Sequence, residues 1–303
     1  MDHQMRQLLT AIGGYDLCIT EFIRVVDLQL PAKVYRRHSP ELYNDSKTAS
    51  GTPVRIQLLG QNPQCLAENA HQAISIGSDG IDLNFGCPAK TVNKNKGGAV
   101  LLKSPDNLYN IVTEVRKAVP AFQTLSVKIR LGYEDKSLAI ENAQAIQAAG
   151  ADELAVHART KAEGYRPPAH WHWIAKIKDA ITIPVTANGD IFSVDDAKRC
   201  MEITGCERLM IGRGALATPN LAQAIKGFES PNSWLEILNI LEKYMFVQTR
   251  GDQEKYLPNR IKQWLIFIKA QHPQAAIFMQ QVRTIKTTQE MLAAINQEQL
   301  RCE

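Results

Sequence analysis

Gly80-Ile81-Asp82-Leu83-Asn84-Phe85-Gly86-Cys87-Pro88 is an apolar, strand-like run that ends abruptly in a Gly-Cys-Pro break. Such a strand delivers its last side chains to one end of a sheet. Gly86 and Pro88 force a sharp turn, and the expectation is that the turn presents Cys87 rather than burying it. A thiol with an ordinary pKa near ~8.5 is mostly protonated at neutral pH, so it can serve as a general acid. Asn84 offers both donors and acceptors, which suits the edge of a planar, amide-like ring. The competing reading is a buried structural cysteine at a strand end, a common fate of free thiols.

Working outward, short apolar strand candidates recur at residues 15–22, 54–60, 80–85, 125–131, 153–159, 183–190 and 207–214. Amphipathic segments at 65–76, 108–119, 138–149 and 194–204 lie between them. Strands alternating with helices imply a parallel sheet, and β-rich apolar runs fit its burial on both faces. The fold expected is α/β, a TIM-type (β/α)8 barrel. Seven strands are visible where a closed barrel needs eight. The chain opens on Met1-Asp2-His3-Gln4-Met5-Arg6-Gln7-Leu8-Leu9, which reads as a helix, so the first strand is the one expected to be missing.

Polar residues gather at the C-terminal ends of these strands, where barrel enzymes carry their chemistry. They are Glu21, Gln57, Asn84 with Cys87, Lys128 with Arg130, His157 with Arg159, Asn188-Gly189-Asp190, and Gly212-Arg213-Gly214. Lys128 and Arg130 are two apart on one strand and so point to the same side, the barrel interior or its mouth. Small residues beside a cation, as in the last group, let backbone N–H groups approach a phosphate. Singly, each group reads as an ordinary turn or loop. Their repetition on seven consecutive strands is the signal.

These segments together resemble the tRNA-dihydrouridine synthases. The resemblance is carried by Thr20-Glu21-Phe22, Val54-Arg55-Ile56-Gln57-Leu58-Leu59-Gly60, Asp82-Leu83-Asn84-Phe85-Gly86-Cys87-Pro88, Val127-Lys128-Ile129-Arg130-Leu131-Gly132, His157-Ala158-Arg159-Thr160, Ala187-Asn188-Gly189-Asp190 and Met210-Ile211-Gly212-Arg213-Gly214. It covers nearly the whole chain. It implies an FMN-binding barrel followed by a helical tRNA-binding domain. The runs at 15–26 and 260–265 are similar to the bacterial C subgroup, which reduces uridine 16 of the tRNA D-loop to 5,6-dihydrouridine.

The resemblance implies that Gln57, Lys128, His157, Asn188, Gly189, Asp190, Gly212 and Arg213 hold FMN. Gln57 and Lys128 would face the polar edge of the isoalloxazine, and the later groups the phosphate. Asn84 would hold the target uracil. Cys87 would protonate C5 after the flavin delivers hydride to C6, with NADPH or NADH as reductant. Reduction of the uracil double bond needs one hydride and one proton, which agrees with a flavin opposite a thiol. The uridine must leave the tRNA stack to reach a barrel mouth. By analogy Tyr165 would stack on RNA, against the reading of an ordinary loop aromatic. Arg24, Arg260 and Lys262 would contact tRNA.

The chain departs from the family pattern in its first strand, which normally ends in an Ala-Pro-Met motif backing the flavin. The expectation is that this strand is encoded in frame upstream of Met1. If it is not, the chain reads as a non-catalytic tRNA-binding protein. A third reading is a flavin oxidoreductase for a small pyrimidine, which the basic C-terminal segment opposes.

Composition sets limits. A chain of 303 residues supports a barrel plus a small domain, expected at 1–229 and 230–303, with the boundary in the polar turn at 228–233. A net charge of +4 permits a polyanionic partner without requiring one. Six scattered cysteines lack metal-ligand spacing and fit a reducing cytoplasm, so neither a metal nor a disulfide is expected. No stretch is long and apolar enough to span a membrane. A monomer is expected. After the boundary the periodicity is helical, with Ile261, Leu265 and Ile268 on one face and Lys262 and Lys269 on another. Most other cations there, Arg250, Lys255, Arg283 and Lys286 among them, read as solvated faces.

Overall fold

The computed structural model describes residues 1–246 and 251–302; Arg250 lies outside the described residues. The described residues form two compact units. The first comprises Met1–Gln7, Tyr15–Ile191 and Asp195–Met210; the second comprises Leu8–Gly14, Phe192–Val194 and the chain from Ile211 onward.

In the first unit all of the expected strands form. They are β1 (Cys18–Ile19), β2 (Ile23–Arg24), β3 (Val54–Leu59), β4 (Ile81–Asn84), β5 (Leu125–Arg130), β6 (Glu153–His157), β7 (Val185–Asn188) and β8 (Arg208–Met210). The order is β1-β3-β4-β5-β6-β7-β8, with β2 also on β3, and each pairing is parallel. Crossover helices span Pro63–Ser75, Pro105–Ala118, Ala139–Ala148, Trp171–Ala180 and Val194–Thr204. Two of them start where the sequence dictates. Asn62 and Ser104 accept from backbone N–H groups of the first turn, and a proline follows each cap. The result is a curled parallel sheet of TIM-barrel type, covered by helices. All six residues of β3 are buried, as two-sided burial requires.

Two strands differ from expectation. Within the run at 15–22 only Cys18–Ile19 is strand; Thr20 N–H still donates to the Arg55 carbonyl at 3.1 Å, but it is the Thr20 hydroxyl that accepts the Gln57 N–H, at 3.0 Å. A side-chain oxygen takes the place of a main-chain acceptor, and the strand resumes at Ile23. The last strand stops at Met210, earlier than expected. Gly212 instead caps the helix Arg213–Ala217 with φ −112° and ψ −95°, outside strand geometry.

At the N-terminal end of the sheet Glu153 joins Arg55 (3.0 Å) and Arg208 (2.6 Å) across strands. This is the stabilising end of a barrel, away from the chemistry.

The second unit is helical: Trp234–Met245, Leu257–Ile268, Gln274–Gln281 and Thr288–Leu300 follow one another. Ser233 with Glu236 and Thr287 with Glu290 form capping boxes at two of the starts. Ile261, Leu265 and Ile268 are fully buried, as their spacing predicts, each stabilising by about 1.5–3 kcal/mol. No helix among the described residues is long and apolar enough to cross a membrane.

Candidate active site

Register decides which strand-end residues meet. Gln57 pairs with Asp82 and Asp82 with Ser126, so one polar row crosses β3, β4 and β5. Nearer the C-terminal rim Asn84 pairs with Lys128, Arg130 with His157, and His157 with Asn188. Residues in one row of a parallel sheet face the same side.

Hydrogen bonds join these rows. Gly86 N–H donates to Asn84 Oδ1 (2.9 Å), Asn84 Nδ2 to Gln57 Oε1 (2.7 Å), and Gln57 Nε2 to Asp82 Oδ2 (2.6 Å). Ser126 Oγ donates to Asp82 Oδ1 at 2.6 Å. Burial raises the Asp82 carboxyl above the ordinary range, while the bonds from Ser126 and Gln57 pull it back. Gln57 also lines a cavity of about 450 Å³ with Thr20, Glu21, Phe22, His38 and Met1.

Cys87 is not presented as the sequence led us to expect. It is 9% exposed and packs with Leu59, Val92 and Phe22. The reason lies in the segment that follows, which folds back over it. Ala99 N–H (3.1 Å) and Asn93 Nδ2 (2.9 Å) both donate to the Cys87 carbonyl, and Asn93 Oδ1 accepts from Val100 N–H at 2.8 Å. Gly86 is clamped from the other side, its carbonyl accepting from Arg130 Nε at 2.9 Å.

Arg130 is buried, at 2% exposure, and its Nη1 donates to the carbonyls of Thr160 (3.1 Å) and Gly164 (2.8 Å). One guanidinium therefore ties the Cys87 turn to the loop that carries Tyr165. Tyr165 is 55% exposed, its ring 5.2 Å from the Arg130 guanidinium carbon and 6.0 Å from the His157 ring. Glu163 secures the same loop by accepting from Thr160 N–H at 2.7 Å and pairing with Lys136 and His170. Burial opposes ionisation of Glu163, but Lys136 and the Thr160 N–H outweigh it and hold its carboxyl down to about 2.

Lys128 is half-buried, and Nζ donates to Asn188 Oδ1 at 3.1 Å. Burial, reinforced by Arg130, lowers it to about 8. The other end of the Asn188 amide donates to the Met210 carbonyl at 2.7 Å. Gly189 has φ +126°, and a Cβ there would stand 3.1 Å from the His157 ring. Its carbonyl accepts from Trp171 Nε1 at 2.8 Å. The Asp190 carboxylate is engaged by Arg159 and by Ala169 N–H (3.1 Å). Arg159 is fully buried, and its Nη1 has no hydrogen-bond partner among the described residues.

Gly212 and Arg213 belong to the second unit. Apart from its chain neighbours, no described residue lies within 4 Å of where a Gly212 Cβ would be, and Arg213 sits 5.3 Å from the Phe192 ring centroid. Arg260 stacks over Tyr244 at 5.4 Å. Lys262 Nζ donates to the Ile285 carbonyl at 2.8 Å and, with Arg283, Lys286, Asn259 and Thr284, lines a cavity of about 600 Å³. Arg24 is exposed at the end of β2. Among the described residues no group of three or more His, Cys, Asp or Glu side chains is placed to hold a metal.

Sequence reasoning passed over Asp82, Ser126, Asn93 and Glu163. Asp82 carried a usable signal, because it lies two residues before Asn84 and so shares its face. Ser126 sits likewise two before Lys128. Asn93 and Glu163 act through loop geometry that no spacing reveals.

A curled parallel sheet with asparagine, lysine, histidine and a thiol at its C-terminal rim defines a barrel enzyme with its chemistry at that end. Solved structures agree on the fold. The crystal structure of TcOYE with pHBA matches at TM-score 0.54 and 11% identity, covering 77% of this chain and 85% of that one. The old yellow enzyme homologue from Zymomonas mobilis matches at TM-score 0.53 and 11% identity, covering 83% and 88%. The family model described as dihydrouridine synthase (Dus) matches residues 1–302, and the chain belongs to that family of flavin-dependent oxidoreductases acting on tRNA uridine. It is 51% identical over 299 residues to the tRNA-dihydrouridine(16) synthase of Shewanella oneidensis, covering 99% of this chain and 95% of the relative. The protein of the same name from Haemophilus influenzae is 48% identical over 299 residues, covering 98% and 96%.

Proposed function

We propose that this chain reduces uridine 16 of the tRNA D-loop to 5,6-dihydrouridine, with FMN as cofactor and NADPH as reductant. The observation that carries the reading is Lys128, a half-buried cation that forms no ion pair among the described residues and stands in register with Asn84. A lysine whose charge is disfavoured by burial gains from an electron-rich ligand edge. The donor set fits a flavin: Gln57 borders the 450 Å³ cavity, and His157 and Asn188 follow Lys128 around the rim. The buried Arg159 Nη1 is a further donor, without a partner among the described residues. The assignment of Gly189, Asp190, Gly212 and Arg213 to the phosphate end rests on the family resemblance.

The flavin supplies hydride when bound. Cys87 Sγ gives its proton to C5 of the uracil, Asn84 holds the ring, and the packing of Phe22, Leu59 and Val92 about the thiol keeps water from it. Position 16 is supported by the names of relatives at 48–51% identity, tRNA-dihydrouridine(16) synthases. Lys262, Arg283 and Lys286 around one cavity favour a polyanionic substrate over a small pyrimidine, and support the reading of the segment 230–303 as the RNA-binding part. The test is single-turnover reduction by FMN-loaded protein of tRNA lacking dihydrouridine, with the product mapped by mass spectrometry. Dihydrouridine at residue 16 is expected. Reduction of free orotate but not of tRNA would overturn the reading.

A further inference from the structure

We propose that Asp82 is a positioning residue, the fixed acceptor that sets which way the Gln57 and Asn84 amides present their donors and acceptors to flavin and uracil. The inference rests on the preceding reading of Gln57 and Asn84 as ligands of those rings.

A carboxamide turned by 180° keeps its shape and exchanges donor for acceptor, so only its partners decide its orientation. Here two amides stand between fixed ends. Gly86 N–H can only donate, so Asn84 must meet it with Oδ1. Asn84 then turns Nδ2 to Gln57, which must accept with Oε1. Gln57 is left turning Nε2 to Asp82, which accepts. The three bonds run in one sense from the turn before Cys87 to a carboxyl that is 1% exposed. Ser126 occupies the other carboxyl oxygen from the next strand of the same row.

Burial raises the Asp82 carboxyl, and a proton taken on the Ser126 side would still leave an acceptor toward Gln57. The orientation therefore holds in both protonation states. Each amide spends one N–H and one lone pair within the relay, and keeps one N–H and one lone pair. That remaining pair matches an imide edge, a ring carbonyl beside a ring N–H, which uracil and isoalloxazine share.

The experiment measures FMN dissociation constants by flavin fluorescence for Gln57→Ala, Asp82→Leu, Asp82→Asn and the double variant Gln57→Ala/Asp82→Leu. Gln57→Ala and Asp82→Leu should each weaken FMN about tenfold, and the double variant should lose no more than the weaker single, because Asp82 acts through Gln57. Asp82→Asn should stay within about threefold of wild type, since its Oδ1 can still accept from Gln57 while the Ser126 hydroxyl turns to accept. Losses that multiply in the double variant overturn the inference, as does an Asp82→Asn as weak as Asp82→Leu. Wild-type affinity in Gln57→Ala instead overturns the flavin reading of Gln57, and the inference with it.

A second readout needs neither flavin nor Asp82→Leu. Gln57→Glu sets two acceptors face to face and should lower the melting temperature of the flavin-free protein. Adding Asp82→Asn restores a donor opposite an acceptor and should recover it. No recovery would show that the relay has no fixed direction.

Discussion

Cys87 is held by its backbone more than by its side chain. Two donors fix its carbonyl, Arg130 and Asn84 fix the peptide before it, and Sγ lies among Phe22, Leu59 and Val92. Replacing it with alanine should leave the turn and FMN binding intact. Flavin reduction by NADPH should also persist, because in the proposed reaction the thiol serves only the second half. Dihydrouridine formation should fall about 10²–10⁴-fold in single turnover, the range of one lost general acid. Undiminished turnover would remove Cys87 from the chemistry. Lys128 gives a second prediction at this scale. Its folded pKa, about 8, lies below the unfolded value of 10.5, so the cation costs stability below about pH 8. That cost fades as pH rises from about 8 toward the unfolded value, because the unfolded chain then binds more protons. Binding has the opposite sign. If the flavin edge is met by the lysine cation, FMN affinity should fall as pH rises from 7 to 9, and Lys128→Met should flatten the profile. A wild-type profile in Lys128→Met would assign the pH dependence to another group.

The segment 89–103 folds over Cys87 because Gly98 adopts φ +67° and comes close to it. A Cβ at Gly98 would stand 2.8 Å from the Cys87 carbonyl oxygen, which hydrogen bonds from Ala99 and Asn93 already fix in place. Gly98→Ala should therefore cost about 1–3 kcal/mol in thermal unfolding, from the left-handed backbone and the clash together. It should also lower kcat for uridine reduction more than FMN affinity. A variant with wild-type melting and kcat would show that this segment does not set the thiol's position. Such loop packing is where sequence reading fell short. The strands 54–60, 125–131 and 153–159 were legible because β-rich runs buried on both faces carry their own signal. Their polar ends were legible because charge at the end of an apolar run is costly without a purpose. The break at Thr20 was not, since a hydroxyl that replaces a main-chain acceptor leaves the residue pattern unchanged. Nor was the burial of Cys87, which depends on Asn93 and Gly98 closing over it from further along the chain.

At the scale of the molecule, a net charge of +4 over 303 residues is too small to specify a partner, so RNA affinity must come from where the cations gather. One gathering is the cavity of Lys262, Arg283 and Lys286 in the helical segment. Arg260 and Lys262 lie two apart on one helix, yet they are used differently. Arg260 rests on the Tyr244 ring, whereas Lys262 spends a donor on the Ile285 carbonyl and so also holds the turn that carries Arg283 and Lys286. Arg260→Ala should weaken tRNA binding uniformly and reduce the slope of log affinity against log salt by about one, as for one phosphate contact. Lys262→Ala should reduce that slope by more, because the two neighbouring cations lose their support along with its own charge. Flavin content should match wild type in both, since neither residue is assigned to FMN. Titration of tRNA at several salt concentrations separates these outcomes. Equal slopes in the two variants would reduce Lys262 to a single contact, and wild-type slopes in both would place the RNA surface elsewhere.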